Sequence, residues 1–193
     1  MRIIAGRLGG RDLGSVPKGV RPTSDRVRES LFSVLGPTDG LVILDLFAGT
    51  GAFGLEAISR GAQGVVFVDH SRQVVRELEK RILSLGLDRT RDSIQILNSD
   101  AQKAIHRLSK KGQPRFDLVF VDPPYEEGDR AGILDALFAS TLLKEGARVV
   151  VEGPKRHPLS PQPGRTLLDA RDYGDTKLTW LEASKHDRPV LDS

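Results

Sequence analysis

Asp122-Pro123-Pro124-Tyr125 sets a carboxylate, a free carbonyl and an aromatic face within four residues. Proline fixes its own φ and donates no backbone hydrogen bond. Two in a row make a stiff turn whose carbonyls stay available as acceptors. Such a set suits gripping a planar group that bears an NH2. The acid and the carbonyl of Pro123 accept its two N–H bonds, and the ring of Tyr125 stacks on its plane. Singly, Asp122 reads equally well as a turn-forming acid before proline, and Tyr125 as a packed core aromatic. Their coincidence favours the chemical role.

A second constellation lies upstream, in Asp45-Leu46-Phe47-Ala48-Gly49-Thr50-Gly51. Gly49, Gly51 and Gly54 satisfy G-x-G-x-x-G, and Asp69 follows at about the spacing of a ribose-binding acid. Alone, this describes a nicotinamide dinucleotide site and an oxidoreductase. Asp45 argues against it, because a carboxylate just before the loop would face the pyrophosphate. A cofactor that is cationic there, such as S-adenosylmethionine with its ammonium and sulfonium, suits that acid. Asp100, in Asn98-Ser99-Asp100-Ala101, is a third acid, placed to accept from an adenine amino group or to cap the next helix. The expected cofactor set is therefore Asp45, Phe47, Ala48, Gly49, Thr50, Gly51, Asp69, His70, Asp100 and Ala101. His70 either lines that pocket or starts the next helix at the surface. No His/Asp/Glu spacing points to a metal, and no G-x-S-x-G points to a hydrolase.

The elements that must position these residues follow from periodicity. Apolar runs predict strands at 41–46, 64–68, 94–97, 116–121 and 147–152. Helices are expected near 52–60, 71–85, 100–110 and 130–138. The 71–85 helix carries the stripe Val74, Val75, Leu78, Ile82 and Leu85, with Ser71 as cap and Gly86 as stop. This alternation implies a parallel sheet with helices on both faces, whose ligands bind at the carboxyl ends of the strands. All three acids and Asp122 fall at such ends. After Pro154, two strands near 165–171 and 177–183 flank Tyr173-Gly174-Asp175 and form a hairpin. Ahead of the sheet, one or two short strands and a helix with apolar face Val27, Leu31, Val34 and Leu35 are expected, capped by Thr23 or Ser24. The domains expected are 1–38 as a basic extension, 39–184 as the catalytic domain and 185–193 as a flexible tail.

The 193 residues suffice for one sizeable core, 28% charged residues fit a soluble globular domain, and the absence of cysteine is compatible with a cytoplasmic protein. There is no cysteine, which removes disulfides, thiolate nucleophiles and cysteine zinc sites. No membrane-length apolar run or signal-peptide pattern is present. The net charge of +3 hides an asymmetry: residues 1–28 carry a net of +5 and the rest −2. A basic arm on a near-neutral body suits a polyanion such as nucleic acid, or is an ordinary solvated arm. Its candidate RNA contacts are Arg2, Arg7, Arg11, Arg21, Arg26 and Arg28. At helical spacing Arg26 and Arg28 point in different directions, so one of them is expected to pair with an acid instead.

With these residues in place, the chain resembles the class I S-adenosylmethionine-dependent methyltransferases, and its DPPY resembles the signature of those that methylate exocyclic amines. Arg2-Ile3-Ile4-Ala5-Gly6, the segment from Arg21-Pro22-Thr23 to Leu31-Phe32, and Tyr173-Gly174-Asp175-Thr176 resemble the RsmD family. The resemblance covers about residues 1–183. It implies a Rossmann-like, mostly parallel seven-stranded sheet with helices on both faces, a C-terminal antiparallel hairpin and a small N-terminal β/α extension. It further implies S-adenosylmethionine as cofactor without a metal, and methylation of the 2-amino group of one guanine in bacterial 16S rRNA, within a small-subunit particle. Membrane and obligate protein partners are not expected. Other readings are an adenine or cytosine amino-methyltransferase, an NAD-dependent oxidoreductase, and an RNA-binding protein that keeps the scaffold without transfer.

Overall fold

The computed structural model describes residues 1–15, 25–110, 116–124, 130–159 and 162–183. In chain order the elements are α1 (Asp25–Leu35), β1 (Val42–Leu46), α2 (Ala52–Ser59), β2 (Gly64–Asp69), α3 (Arg72–Ser84) and β3 (Ile94–Asn98), then α4 (Ala101–Lys110), β4 (Phe116–Val121), α5 (Arg130–Phe138), β5 (Leu143–Pro154), β6 (Arg165–Tyr173) and β7 (Thr176–Ala183). The strands form a seven-stranded sheet in the order β3-β2-β1-β4-β5-β7-β6. Two compact units divide the chain, Met1–Asp100 and Ala101–Ser193.

In the first unit β1, β2 and β3 run parallel. β2 is buried along its whole length, which is why it reads as an unbroken apolar run. Every residue of α2 is buried too. A Cβ on Gly54 would meet the Phe67 ring at 2.3 Å, so glycine lets this helix lie directly on β2. α3 buries Val74, Leu78 and Ile82, and Ser71 caps it by accepting the Val74 N–H at 3.4 Å. α1 buries Arg28, Leu31, Phe32 and Leu35, with Phe32 stacked on Phe53 at 5.2 Å. Its buried face is thus rotated from the expected one, leaving Val27 and Val34 half-buried.

The arm of residues 1–15 folds into a short antiparallel pairing and docks within the first unit. Arg2 bridges Asp12, the Ile3 N–H donates to the Arg11 carbonyl and the Leu13 N–H to the Met1 carbonyl, both at 2.9 Å. Side chains of α2 satisfy further backbone groups of the arm. Glu56, wholly buried, accepts the Ile4 N–H at 2.7 Å and the Ala5 N–H at 3.0 Å. Ser59 accepts from Leu8 at 2.9 Å and donates to the Ala5 carbonyl at 2.5 Å. From α3, Arg81 donates to the carbonyls of Leu13 and Ser15. The short strands expected in the arm are thus reduced to one bridged pairing, fastened to the body by side chains.

In the second unit β4 and β5 are parallel, while β5–β7 and β7–β6 are antiparallel. β5 is longer than expected, because Lys144 and Gly146 read as loop residues. Here Lys144 pairs with Asp117 at 2.8 Å, and a register shift between Phe116 and Leu118 carries the strand onward. The hairpin turn falls at Tyr173-Gly174-Asp175-Thr176, as its sequence predicts. The caps expected at Thr23 or Ser24 and the tail after Ala183 lie outside the described residues.

Candidate functional site

The carboxyl ends of β1, β2 and β3 bring the three acids of the first unit to one edge. Leu46 stands opposite Val68, and Asp69 opposite Asn98. The turns are tied together by backbone bonds from Ala48 N–H to the Val68 carbonyl (2.9 Å) and from Ser99 N–H to the Asp69 carbonyl (3.0 Å). Asn98 adds side-chain bonds to the carbonyls of Asp69 and His70 at 3.1 and 2.9 Å.

The turn after β1 is built from unusual backbone. Phe47, Gly49 and Gly51 have φ of 63°, 53° and 74°. For Phe47, a non-glycine residue in the left-handed region, this costs on the order of 1 kcal/mol and marks a geometry the surroundings enforce. Gly51 is favoured here, since its positive φ strains other residues and a Cβ would crowd the Leu78 side chain. Thr50 is buried, and its hydroxyl lies 3.8 Å from the Met1 sulfur.

Two carboxylates hold this turn from beneath. Asp45 is buried, and its Oδ2 accepts the Gly54 N–H at 3.1 Å. It therefore occupies a donor in the first turn of α2. Asp69 Oδ2 accepts the Gly49 N–H at 3.0 Å, and its Oδ1 accepts the Ser71 N–H at 2.8 Å. Each oxygen retains acceptor capacity for a hydroxyl. Burial drives the Asp45 carboxyl well above the ordinary carboxylate range; the Gly54 N–H opposes this and the Asp69 charge adds to it. Such an acid gains its charge readily beside a cation and resists it beside an anion. His70 is exposed on the rim, its Nδ1 3.9 Å from Asp69. Asp100 is exposed ahead of α4, whose first residue Ala101 is buried.

This donor set fits S-adenosylmethionine better than a dinucleotide. In a dinucleotide site the N–H groups opening the helix point at the pyrophosphate. Here one of them is already taken by a carboxylate.

In the second unit Asp122 is half-buried, Pro123 buried and Pro124 exposed at the end of β4. The two prolines wall a cleft of about 390 Å³ shared with Arg130, Glu152, Gly153 and His157. Tyr125 lies outside the described residues, as does Arg21.

The family model described as "Conserved hypothetical protein 95" matches residues 1–182. The chain belongs to this family. It is the RsmD family that the motifs resemble. A relative in Escherichia coli K12 named Ribosomal RNA small subunit methyltransferase D is 39% identical over 171 residues, covering 87% of this chain and 82% of its own. The protein of the same name in Haemophilus influenzae is 36% identical, covering 90% of this chain and 89% of its own. Among solved structures, a hypothetical protein of Thermus thermophilus superposes with a TM-score of 0.79 at 33% identity, over 93% of this chain and 98% of its own. TrmN of the same organism gives a TM-score of 0.60 at 26% identity, over 81% of this chain and 48% of its own. The fold is that of the class I methyltransferases.

Within this family frame the basic arm divides. Arg2 and Arg26 are exposed. Arg7 is half-exposed and pairs with Asp92 at 2.6 Å, and exposed Arg11 reaches the Leu85 carbonyl at 3.4 Å. Arg28 is different and leaves the set of RNA contacts. It is 1% exposed, and its Nη2 donates to Asp25 at 2.6 Å and to the Arg2 carbonyl at 2.7 Å. A guanidinium so buried cannot reach a phosphate, and it fastens the arm to α1 instead. Sequence reasoning missed Glu56, Ser59 and Arg81, which anchor the arm, and Glu152 in the cleft. An acid ending an otherwise apolar run, as in Val149-Val150-Val151-Glu152, was the available signal for the last.

Proposed function

We propose that this chain transfers a methyl group from S-adenosylmethionine to the exocyclic 2-amino group of a guanine in small-subunit ribosomal RNA. The observation that carries the reading is the Asp122-Pro123-Pro124 turn, set at a strand's carboxyl end, whose two prolines wall a cleft. The printed names of the relatives supply the RNA class.

Asp45 and Asp69 hold the cofactor's cationic end and ribose, with Phe47 to Gly51 shaping the turn and Asp100 and Ala101 meeting the adenine. When bound, S-adenosylmethionine would supply an electrophilic methyl group on its sulfonium. The chain's own task is to prepare the nucleophile. A guanine amine is weak because its lone pair is delocalised into the ring. Asp122 and the Pro123 carbonyl accept its two N–H bonds, which pins the group and aims the lone pair. The gain is orientation and electrostatics. No base is needed beforehand, since the nitrogen becomes acidic only once it carries the methyl, and Asp122 then takes the proton. The base must first leave its helix, and Tyr125 is the residue proposed to stack on it.

Replacing Asp122 by Ala is expected to leave S-adenosylhomocysteine affinity unchanged by calorimetry while single-turnover transfer falls about 10²-fold or more. Near-normal turnover would remove Asp122 from this chemistry.

A further inference from the structure

We infer that Arg81 is a positioning residue that couples the arm to the cofactor turn, so that cofactor and RNA each tighten the binding of the other. The coupling rests on the function proposed above and links its two substrates through one side chain.

Arg81 lies in α3 and is 8% exposed. Burial lowers its pKa, and the charge of Glu77, one helical turn earlier and paired with Lys80, opposes this. A buried cation is costly unless its donors are satisfied. Here backbone carbonyls take them from two separate pieces of chain. Nε donates to the Leu13 carbonyl at 2.7 Å and Nη2 to that of Ser15, both in the arm. Nη1 donates to the Thr50 carbonyl at 3.4 Å, in the turn between β1 and α2. The two arm bonds alone would fasten the arm. The third ties it to the residue between Gly49 and Gly51, in the turn assigned to the cofactor.

A second contact joins the same two pieces. The Met1 side chain is buried, and its sulfur lies 3.8 Å from the Thr50 hydroxyl. Leu13 donates its N–H to the Met1 carbonyl at 2.9 Å, so both contacts meet at one stretch of the arm. A guanidinium is a planar fork whose donors move together. A shift of Thr50 is therefore passed to Leu13 and Ser15. The arm that carries Arg7 and Arg11 is docked when Arg81 spans all of these carbonyls, and its release takes the Leu13 and Ser15 acceptors away. A cofactor that needs Thr50 in place favours the docked arm, and so does an RNA that grips it. Two ligands that prefer the same state strengthen each other by one shared factor.

The test measures the Kd of small-subunit ribosomal RNA with and without saturating S-adenosylhomocysteine, and the Kd of S-adenosylhomocysteine with and without that RNA. In wild-type protein each ligand is expected to tighten the other about fivefold or more, by the same factor. Hydrogen exchange at the Ile3 and Leu13 amides, both bonded within the arm, is expected to slow when S-adenosylhomocysteine alone is added. Arg81→Lys keeps the cation and loses the fork, and is expected to bring the factor to about 1 and to remove the slowing. A merely structural Arg81 would instead weaken RNA binding equally with and without S-adenosylhomocysteine. A wild-type factor of about 1 overturns the inference without any variant, as does a factor that survives in Arg81→Lys. Wild-type protein that does not bind S-adenosylhomocysteine overturns the proposed function, and the coupling with it.

Discussion

Asp45 is a buried carboxyl group that resists taking up its charge. Its buried position beneath the glycine turn raises its pKa, and the Gly54 N–H holds it in place. Because the folded value lies above the unfolded one, the native state holds the extra proton between the two. Its contribution to stability is therefore full below the ordinary carboxylate range and is lost as pH climbs through the raised value. Cofactor binding carries the opposite sign. A cationic ligand favours the ionised acid, so binding releases a proton, and affinity for S-adenosylmethionine is expected to rise with pH until Asp45 is ionised in the free protein. Calorimetry across pH should show this slope, and Asp45→Asn should bind more weakly with the slope gone. An Asp45→Asn protein with the wild-type affinity and slope would place the cation elsewhere. The same residue explains why a glycine fingerprint alone misleads: G-x-G-x-x-G records close backbone approach, and only the acid beneath it records the ligand's charge.

At the scale of elements, α2 does two jobs. Its N-terminus receives Asp45, and its other side anchors the arm through Glu56 and Ser59. Replacing Glu56 by Ala leaves two part-buried N–H groups without their acceptor and is expected to cost about 1–2 kcal/mol. Urea unfolding would read the loss, and hydrogen exchange should quicken first at the amides of Ile4 and Ala5. Unchanged protection there would mean that the arm is held by other contacts. The sequence discloses β1, β2, β3 and β4 within a residue of their ends because buried parallel strands are continuous apolar runs between turn residues. It discloses Ser71 and Gly86 because caps have local chemistry. It does not disclose the arm's docking, since Glu56 looks like any helical acid until the chain 52 residues before it packs on top. Arg28 misleads for the same reason: an arginine in a basic segment reads as solvated, and only its pairing with Asp25 under the arm reveals that it is buried. The Asp122-Pro123-Pro124 turn is legible because its chemistry is local, whereas Glu152 joins the cleft walled by Pro123 and Pro124 only once the chain has folded.

For the whole molecule, charge and length set the terms. The methyltransferase fold takes up most of the chain, and the excess positive charge lies in residues 1–28. A net of +5 in residues 1–28 is suited to phosphate contact, whose salt dependence counts the contacts made. With Arg28 buried, Arg7 and Arg11 are the outward-facing test cases. Reversing both to Glu is expected to weaken RNA binding and flatten its salt slope, with cofactor affinity unchanged. A slope equal to the wild type would return the arm to an ordinary solvated segment. So short an arm reads little sequence, which favours recognition of the shape of a folded RNA or particle. The most direct measurement follows labelled methyl from S-adenosylmethionine into small-subunit particles, free ribosomal RNA, transfer RNA and DNA, with the products digested to nucleosides. The proposed chemistry places label in N2-methylguanosine, strongest on small-subunit RNA or particles. Label in N6-methyladenine, or none on any of the four, would contradict it.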